Sequence, residues 1–430
     1  MKYFADCHFH VMTMKEPNFA SLINSLYSSK GELISANATD NYIITPKLLK
    51  GGNLLNTIEN TLQAFSRPIG ETFCMMEDDL EGRFSRDGEW QRAPFIADGK
   101  LHIKGNVYDK MLMSPLLMDF SEDADGPGRT YYPTRSEDKL SPYIDATIEG
   151  MEYYYKTHPD GLFEFYPFVG INPKLHSFGF LKNLLERYVN TSHKMHEEHS
   201  VPLKPFYGIK VYPPLDFDPW PEDPELLEKH RYLYGFAEDN QIPIITHCDD
   251  QGFRGISACT AWRYTDPASW KTVLENHPNL KLDFAHFGKQ YAISSSLDIK
   301  GIQSKIKRTK LNPWTETIIT MMEEFKGVYS DISFTGASPE FYQTLAIYLS
   351  KKENKKTDLI ASRLLFGSDF SVNLLKVGSY SEYYSIFDNS PLSGKMSDRI
   401  SSGNVLDFLG LEEPTPVLSW RERIRALKQP

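Results

Sequence analysis

The chain has 430 residues, 40% of them hydrophobic and 13% aromatic, which is enough apolar material for one large core and excludes an extended, disordered chain. With 47 basic against 57 acidic side chains the formal charge is -10, so a polyanion is disfavoured as a partner and nucleic acid binding is not expected. The four cysteines are scattered too widely for a disulfide framework, and neither a long apolar run nor a basic and then apolar leader is present, so a reducing, cytoplasmic setting without membrane association is expected.

The first element in chain order is "YFADCHFH" (3–10), a strand that carries Asp6, His8 and His10 at alternate positions. Residues two apart on a strand share a face, so both imidazoles can converge on one ion with Asp6 below them. The same spacing also suits an ordinary buried strand whose histidines are hydrogen-bonded in the core. Residues 11 to 110 are too many for a loop and hold an amphipathic stretch, "NLLNTIENTLQAF", and a hairpin around "FIADGKLHI", where Asp98-Gly99 supplies turn chemistry. A small inserted subdomain is expected there, either over a substrate pocket or as a packing or oligomer element. The next strand is "PLLMDF" (Pro115 to Phe120).

From about residue 160 short β-rich runs alternate with helical segments, the pattern of β/α units around a parallel sheet. The strands are Phe163 to Ile171, Phe206 to Tyr212, Ile242 to Cys248, Leu280 to Phe287, Gly327 to Ser333 and Arg363 to Phe370. Helices are expected over Phe180 to His199, Pro224 to Asn240, Ser269 to Glu275, Glu316 to Phe325 and Pro339 to Ser350. Eight β/α units imply an α/β fold, a closed (β/α)8 barrel of the triosephosphate isomerase type in a single domain over 1–430, with its large insertion after the first strand.

Four later strands each place one polar residue near the C-terminal end, where barrel active sites are built: Lys210, His247, His286 and Asp369. Their separations of 37, 39 and 83 fit one rim, the last being two units because the strand "GVYSDIS" intervenes. Taken singly, a buried histidine is usually a hydrogen-bonded core residue, Lys210 can reach solvent along its stem, and Asp369 can cap the next segment. Taken together, those explanations need several coincidences at one edge of one sheet. The repeat His193, His196 and His199 in "HKMHEEH" lacks the spacing of a helical zinc motif and reads as a solvated helix end. Asp249 and Asp250, which follow His247, suit either a site or a polar loop. Arg254 and Arg263 could hold a substrate carboxylate, although loop arginines are usually solvated.

The His-x-His strand, "GIKVYPP", "IITHC", "DFAHFG" and "LFGSDF", in that order, resemble the amidohydrolase superfamily, in the amidohydrolase-related branch that includes aminocarboxymuconate-semialdehyde decarboxylase. The resemblance covers residues 1 to 10 and about 160 to 410, including "ISSGNVLDFLGL", which is similar to the family's closing helix. It implies a metal-dependent barrel enzyme in which His8, His10, His247 and Asp369 hold one divalent ion, usually zinc. It also implies that His286 polarises the substrate or the water; the residue chemistry then lets Asp369 serve as base and His286, together with Lys210, stabilise the oxyanion. In binuclear relatives a carboxylated lysine at the Lys210 position bridges two metals and His286 joins His247 on the second. The implied reaction is hydrolysis of an amide, lactone or related carbonyl bond of a small molecule by a metal-activated water. Non-oxidative decarboxylation, or a binding role for a non-catalytic barrel, are the alternatives, and a homo-oligomer is compatible with either.

Overall fold

The computed structural model describes residues 1–13, 65–83, 94–120, 140–195, 199–250, 252, 256–290, 313–350 and 355–411. In chain order come strand β1 (Tyr3–His10), helix α1 (Ile69–Leu80), the short strands β2 (Ile96–Ala97), β3 (Lys100–Ile103) and β4 (Asn106–Tyr108), then β5 (Lys110–Leu116) and α2 (Ser141–Thr157). Next follow β6 (Phe163–Phe165), β7 (Phe168–Gly170), α3 (Phe178–Tyr188), β8 (Gly208–Val211), α4 (Pro224–Asp239), β9 (Ile244–Thr246), α5 (Ala258–Thr265), α6 (Lys271–Asn276) and β10 (Leu282–Phe284). The last part holds α7 (Pro313–Glu324), β11 (Val328–Asp331), α8 (Pro339–Leu349), α9 (Lys355–Ala361), β12 (Leu364–Leu365), α10 (Tyr380–Asp388), α11 (Gly394–Asp398) and α12 (Asn404–Leu409).

The long strands form one parallel sheet in the order β1-β5-β7-β8-β9-β10-β11-β12, with β6 beside β5. The sheet curls until its ends meet. Cys7 N donates to Phe366 O at 3.0 Å, Ser368 N to His8 O at 3.1 Å and His10 N to Phe370 O at 2.5 Å, so β1 lies beside the chain that leaves β12. This is the expected (β/α)8 barrel. Ala5, Cys7, Leu112, Phe168, Ile245, Ala285, Tyr329 and Leu365, drawn from strands all around the sheet, pack together with Val405 and Phe408 of α12. Residues of so many strands can meet only inside the barrel, and α12 plugs one end of it. A second, larger apolar layer lies between the outer faces of the strands and the helices.

Three expected boundaries move. The second barrel strand is Lys110–Leu116 rather than Pro115 to Phe120. It runs earlier because its Met-rich sequence is buried between parallel neighbours, and Pro115 falls opposite Phe9, where the ladder is already irregular and a missing N–H costs little. The run Phe163 to Ile171 is divided at Pro167 into β6 and β7, since proline has no N–H for the ladder. Helix α3 stops at Tyr188 rather than His199, because Val189 turns extended and bridges to Phe206.

The hairpin expected at Asp98-Gly99 is present as β2 and β3, with Asp98 and Gly99 both at positive φ. Its sheet leads straight into the N-terminal end of β5, and Asp109 N donates to Lys2 O at 2.7 Å, so this part of the insertion lies at the end of the barrel opposite the C-terminal rim. Helix α1 packs on α2 where Gly70 and Gly150 meet: a Cβ on Gly70 would stand 2.7 Å from Tyr153 Cβ. Residues 14–64 and 84–93, with most of the amphipathic stretch, lie outside the described residues. Among the described residues no helix is long and apolar enough to cross a membrane.

Candidate metal centre

The site begins with an irregularity in β1. Asp6 pairs with Met113 and Phe9 with Pro115, so three residues of β1 span two of β5, a bulge next to the two histidines. The bulge lets Cys7 and His8 both address the interior while Asp6 faces outward. Asp6 accepts from Tyr380 Oη of α10 at 2.8 Å, from Ser368 N at 2.9 Å and from His8 N at 3.4 Å. The alternation expected from sequence therefore fails at Asp6, which supports the site from the helix side and not from beneath the imidazoles. Burial pushes its carboxyl up to about 7.

Strand β12 comes close to His8 because Gly367 has no side chain: a Cβ there would lie 2.7 Å from His8 Cβ. Two residues later the backbone turns left-handed at Asp369, φ 59°, an uncommon conformation for a residue with a side chain, and it points the carboxylate at β1. Asp369 Oδ1 then lies 3.5 Å from His8 Nε2 and 3.3 Å from His10 Nε2.

The other side of His8 is braced. Its Nδ1 lies 2.6 Å from Asp331 Oδ2 at the end of β11, and a carboxylate can only accept, so Nδ1 carries the proton and Nε2 presents a lone pair. Asp331 Oδ1 accepts from His286 N at 3.1 Å, from Ser333 N at 2.9 Å and from Ser333 Oγ. Burial acts upward on Asp331, but His8, His286 and a hydrogen bond from Asp283 outweigh it and hold its carboxyl well below the usual range. His286 Nδ1 stands 3.1 Å from Ser333 O and 2.9 Å from Ser333 Oγ, so the same logic places its proton on Nδ1 and a lone pair on Nε2. Burial lowers His8 and His286 to about 4 each and His10 well below its ordinary value, which keeps all three rings neutral near pH 7.

His247 and Asp249 continue the cluster beyond His286. His286 Nε2 lies 3.3 Å from His247 Nδ1, and His247 Nε2 lies 3.3 Å from Asp249 Oδ1. Ring centroids step from His10 to His8 at 5.2 Å, His8 to His286 at 5.1 Å and His286 to His247 at 5.0 Å. Lys210, one residue before the end of β8 and level with Ile245 of β9, is buried, and burial lowers its amine to about 8. Asp283 of β10 is pushed well up by burial and by the charge of Asp331, so it holds the proton while Asp331 stays ionised.

All six residues singled out for chemistry, Lys210, His8, His10, His247, His286 and Asp369, are buried at the C-terminal ends of the strands. By ligand-atom proximity they fall into groups: His8 with His10 and Asp369; His247 with Asp249 and His286; and His8 with Asp283 and Asp331. His247 therefore clusters with His286 rather than with the first trio. Sequence reasoning passed over Asp331, treating its strand as a spacer, although "VYSD" ends on a carboxylate just as the neighbouring strands end on chemistry. The two described histidines of the triple repeat are half-buried and bonded rather than fully solvated. His193 bonds Asn240 O at 2.7 Å, and His199 bonds Glu164 at 3.0 Å and His158 O at 3.0 Å, because the chain there has left the helix to pack on its neighbours. His196 and Arg254 lie outside the described residues; Arg263 is exposed, its guanidinium over Tyr264.

A cation fits the first group. His8 Nε2 and Asp369 Oδ1 are buried without a hydrogen bond among the described residues, although the two rigid elements hold them face to face. The spacings of 3.3 and 3.5 Å match the edge of a tetrahedron around an ion bound at 2.0–2.1 Å, which is about 3.3 Å.

A closed parallel barrel with neutral histidines and a carboxylate converging at its C-terminal rim defines a metal-dependent barrel enzyme. Residues 197–411 match the family model described as amidohydrolase, half of the chain, and the protein belongs to the amidohydrolase family. Solved structures similar to it include the 5-carboxyvanillate decarboxylase LigW of Sphingomonas paucimobilis, at 10% identity and TM-score 0.44 over 96% of this chain and 100% of that one. Others are a manganese-bound dihydroxybenzoic acid decarboxylase of Polaromonas sp. JS666 (15%, TM-score 0.37, 70% and 81%) and a zinc-bound amidohydrolase of Burkholderia multivorans (12%, TM-score 0.36, 70% and 84%). No curated protein matches the chain.

Proposed function

We propose that the protein is a hydrolase that cleaves an amide, lactone or related carbonyl bond of a small molecule at one divalent ion, zinc by expectation. The observation that supports this most directly is the pair of buried, unbonded ligand atoms His8 Nε2 and Asp369 Oδ1, with His10 Nε2 at the same spacing. His8, His10 and Asp369 would hold the ion, with His247 drawn in as fourth ligand. The bound ion supplies Lewis acidity, polarising a carbonyl and lowering the pKa of water.

The chain's own residues divide the remaining work. Asp369, its pKa raised by burial, takes a proton from the attacking water and returns it to the leaving group. His286 presents a lone pair at Nε2, so it accepts a proton or holds the substrate's donor rather than donating to an oxyanion. Charge on the carbonyl oxygen then falls to Lys210, whose ammonium sits in a dry layer where its field is little screened.

The test pairs metal analysis of the purified protein with a screen over lactones, amidated acids and carboxylated aromatics in water labelled with oxygen-18. One metal equivalent per chain and a product carrying the label support the proposal. Two equivalents would move His247, His286 and Asp249 to a second ion, with Lys210 carboxylated between the two. Release of carbon dioxide without incorporation of label would replace hydrolysis by non-oxidative decarboxylation.

A further inference from the structure

Two polar side chains lie inside the barrel, one layer nearer the N-terminal ends of the strands than His247 and His286. Lys210 of β8 is level with Ile245 of β9, Ile245 with Asp283 of β10, and Asp283 with Tyr329 of β11. Residues in register on parallel neighbours share a face, and Ile245 and Tyr329 pack in the barrel interior, so Lys210 and Asp283 point there too. Adjacent strands run about 4.8 Å apart, which puts the Cα atoms of Lys210 and Asp283 about 10 Å from each other across Ile245, and the lysine stem spans much of that gap. Both are cut off from solvent, Lys210 at 1% exposure and Asp283 at 0%.

The protein leaves both of them short of partners. Lys210 Nζ has no hydrogen bond among the described residues, and Asp283 has none beyond the proton it gives to Asp331. The ammonium feels the charge of Asp331, Asp369, Asp283 and Asp249. Asp331 already accepts from His8, from His286 N and from Ser333, Asp369 is turned to His8 and His10, and Asp249 to His247. Asp283 is the acid with an oxygen to spare, and it stands in the same row as the lysine. A buried ammonium without a partner is strongly unfavourable. Two buried polar groups that face one interior just beyond direct reach are the setting for a bridging water, which satisfies both.

We infer that Asp283 holds Lys210 through an ordered water inside the barrel, and so positions the ammonium that stabilises charge on the carbonyl oxygen. What Lys210 does in the reaction rests on the hydrolase proposal; the contact itself does not. A single fixed water leaves the layer otherwise dry, so the field of the ammonium stays strong. Asp283 is a positioning residue, acting on the reaction only through Lys210.

A high-resolution crystal structure of the full chain reads the contact itself: a water within hydrogen-bond distance of both Lys210 Nζ and Asp283 is expected, and a clear map without one overturns the inference. In solution, the ammonium protons of Lys210 in nitrogen-15-labelled protein, assigned by their loss in Lys210→Met, report how firmly the group is held. Their exchange with solvent should be about tenfold or more faster in Asp283→Leu and close to the wild type in Asp283→Asn, whose amide still bonds the water. Equal exchange in the wild type and Asp283→Leu overturns the role of Asp283. Chemical denaturation adds a third reading. Lys210→Met should lower the unfolding midpoint of the wild type but raise that of Asp283→Leu, because removing one partner strands the other and removing both does not. The same shift in both backgrounds counts against the pair, and should Asp283→Leu not fold, the crystallographic map decides. The oxygen-18 screen reads the hydrolase proposal separately: its failure removes the task of Lys210 and leaves the water contact standing.

Discussion

The two halves of the histidine cluster are assembled in different ways. His8, His10 and Asp369 meet at the seam where the barrel closes, and their positions are set by backbone hydrogen bonds between β1 and the chain leaving β12. His247, Asp249 and His286 lie where β9 and β10 run out into loops, and there the order comes from side chains: Ser333 holds His286, and His286 touches His247. His286 and Phe287 are both left-handed, at φ 62° and 53°, as Asp369 is at 59° in the first half, so each half stores strain which its neighbours must hold. A ligand group built into a ladder is rigid before any ion arrives. One built on loop contacts can adjust to the ion and the substrate, which suits the residues that handle protons.

The variant with the largest expected effect breaks the rigid half. Replacing His8 and His10 together by alanine should remove the metal and lower turnover by ~10³-fold or more, since several kcal/mol of charge stabilisation goes with the ion. Metal analysis beside a rate assay reads both, and retained metal would show that the seam is not the primary site. His247→Ala sharpens the contrast. It should weaken metal binding less than the double variant does, because His8, His10 and Asp369 stay in place.

Asp331→Asn comes next. It leaves the seam intact but exchanges the charged acceptor of His8 Nδ1 for a neutral amide, and metal affinity should fall about 10- to 100-fold, measured by competition with a chelator. Gly367→Ala attacks closure itself. The new methyl group must displace His8, and a loss of ~1–3 kcal/mol is expected by chemical denaturation, together with weaker metal binding. Tyr380→Phe removes one hydrogen bond to Asp6 from outside the barrel. It should cost ~0.5–1.5 kcal/mol of stability with metal content near that of the wild type, and a larger effect on metal than on stability would place Asp6 in the site itself.

Much of the architecture was legible because local chemistry marks it. Every barrel strand is a short β-rich run bounded by turn or helix signals, and Pro224 behind the capping Asp223 announces α4, where Asp223 Oδ1 accepts from Leu226 N at 2.8 Å. The end of α3 was not legible, because what stops that helix is a bridge from Val189 to Phe206, a partner outside any local window. Asp6 misled for a similar reason. Strict alternation puts it beneath the histidines, and only the pairing of β1 with β5 reveals the bulge that turns it toward Tyr380. Asp331 was passed over because a strand with no histidine looks like a spacer until the barrel closes and sets its carboxylate against His8.

The sequence by itself determined which residue types sit at the strand ends and the order in which those strands occur, since burial and periodicity are written residue by residue. Only the tertiary structure decided which of them touch. His8 and Asp331 are separated by 323 residues and Asp6 and Ser368 by 362, and no local pattern encodes such contacts. They exist because the sheet curls until its first strand bonds to the chain leaving the last, and that closure groups His8 with His10 and Asp369 and leaves His247 with His286 and Asp249.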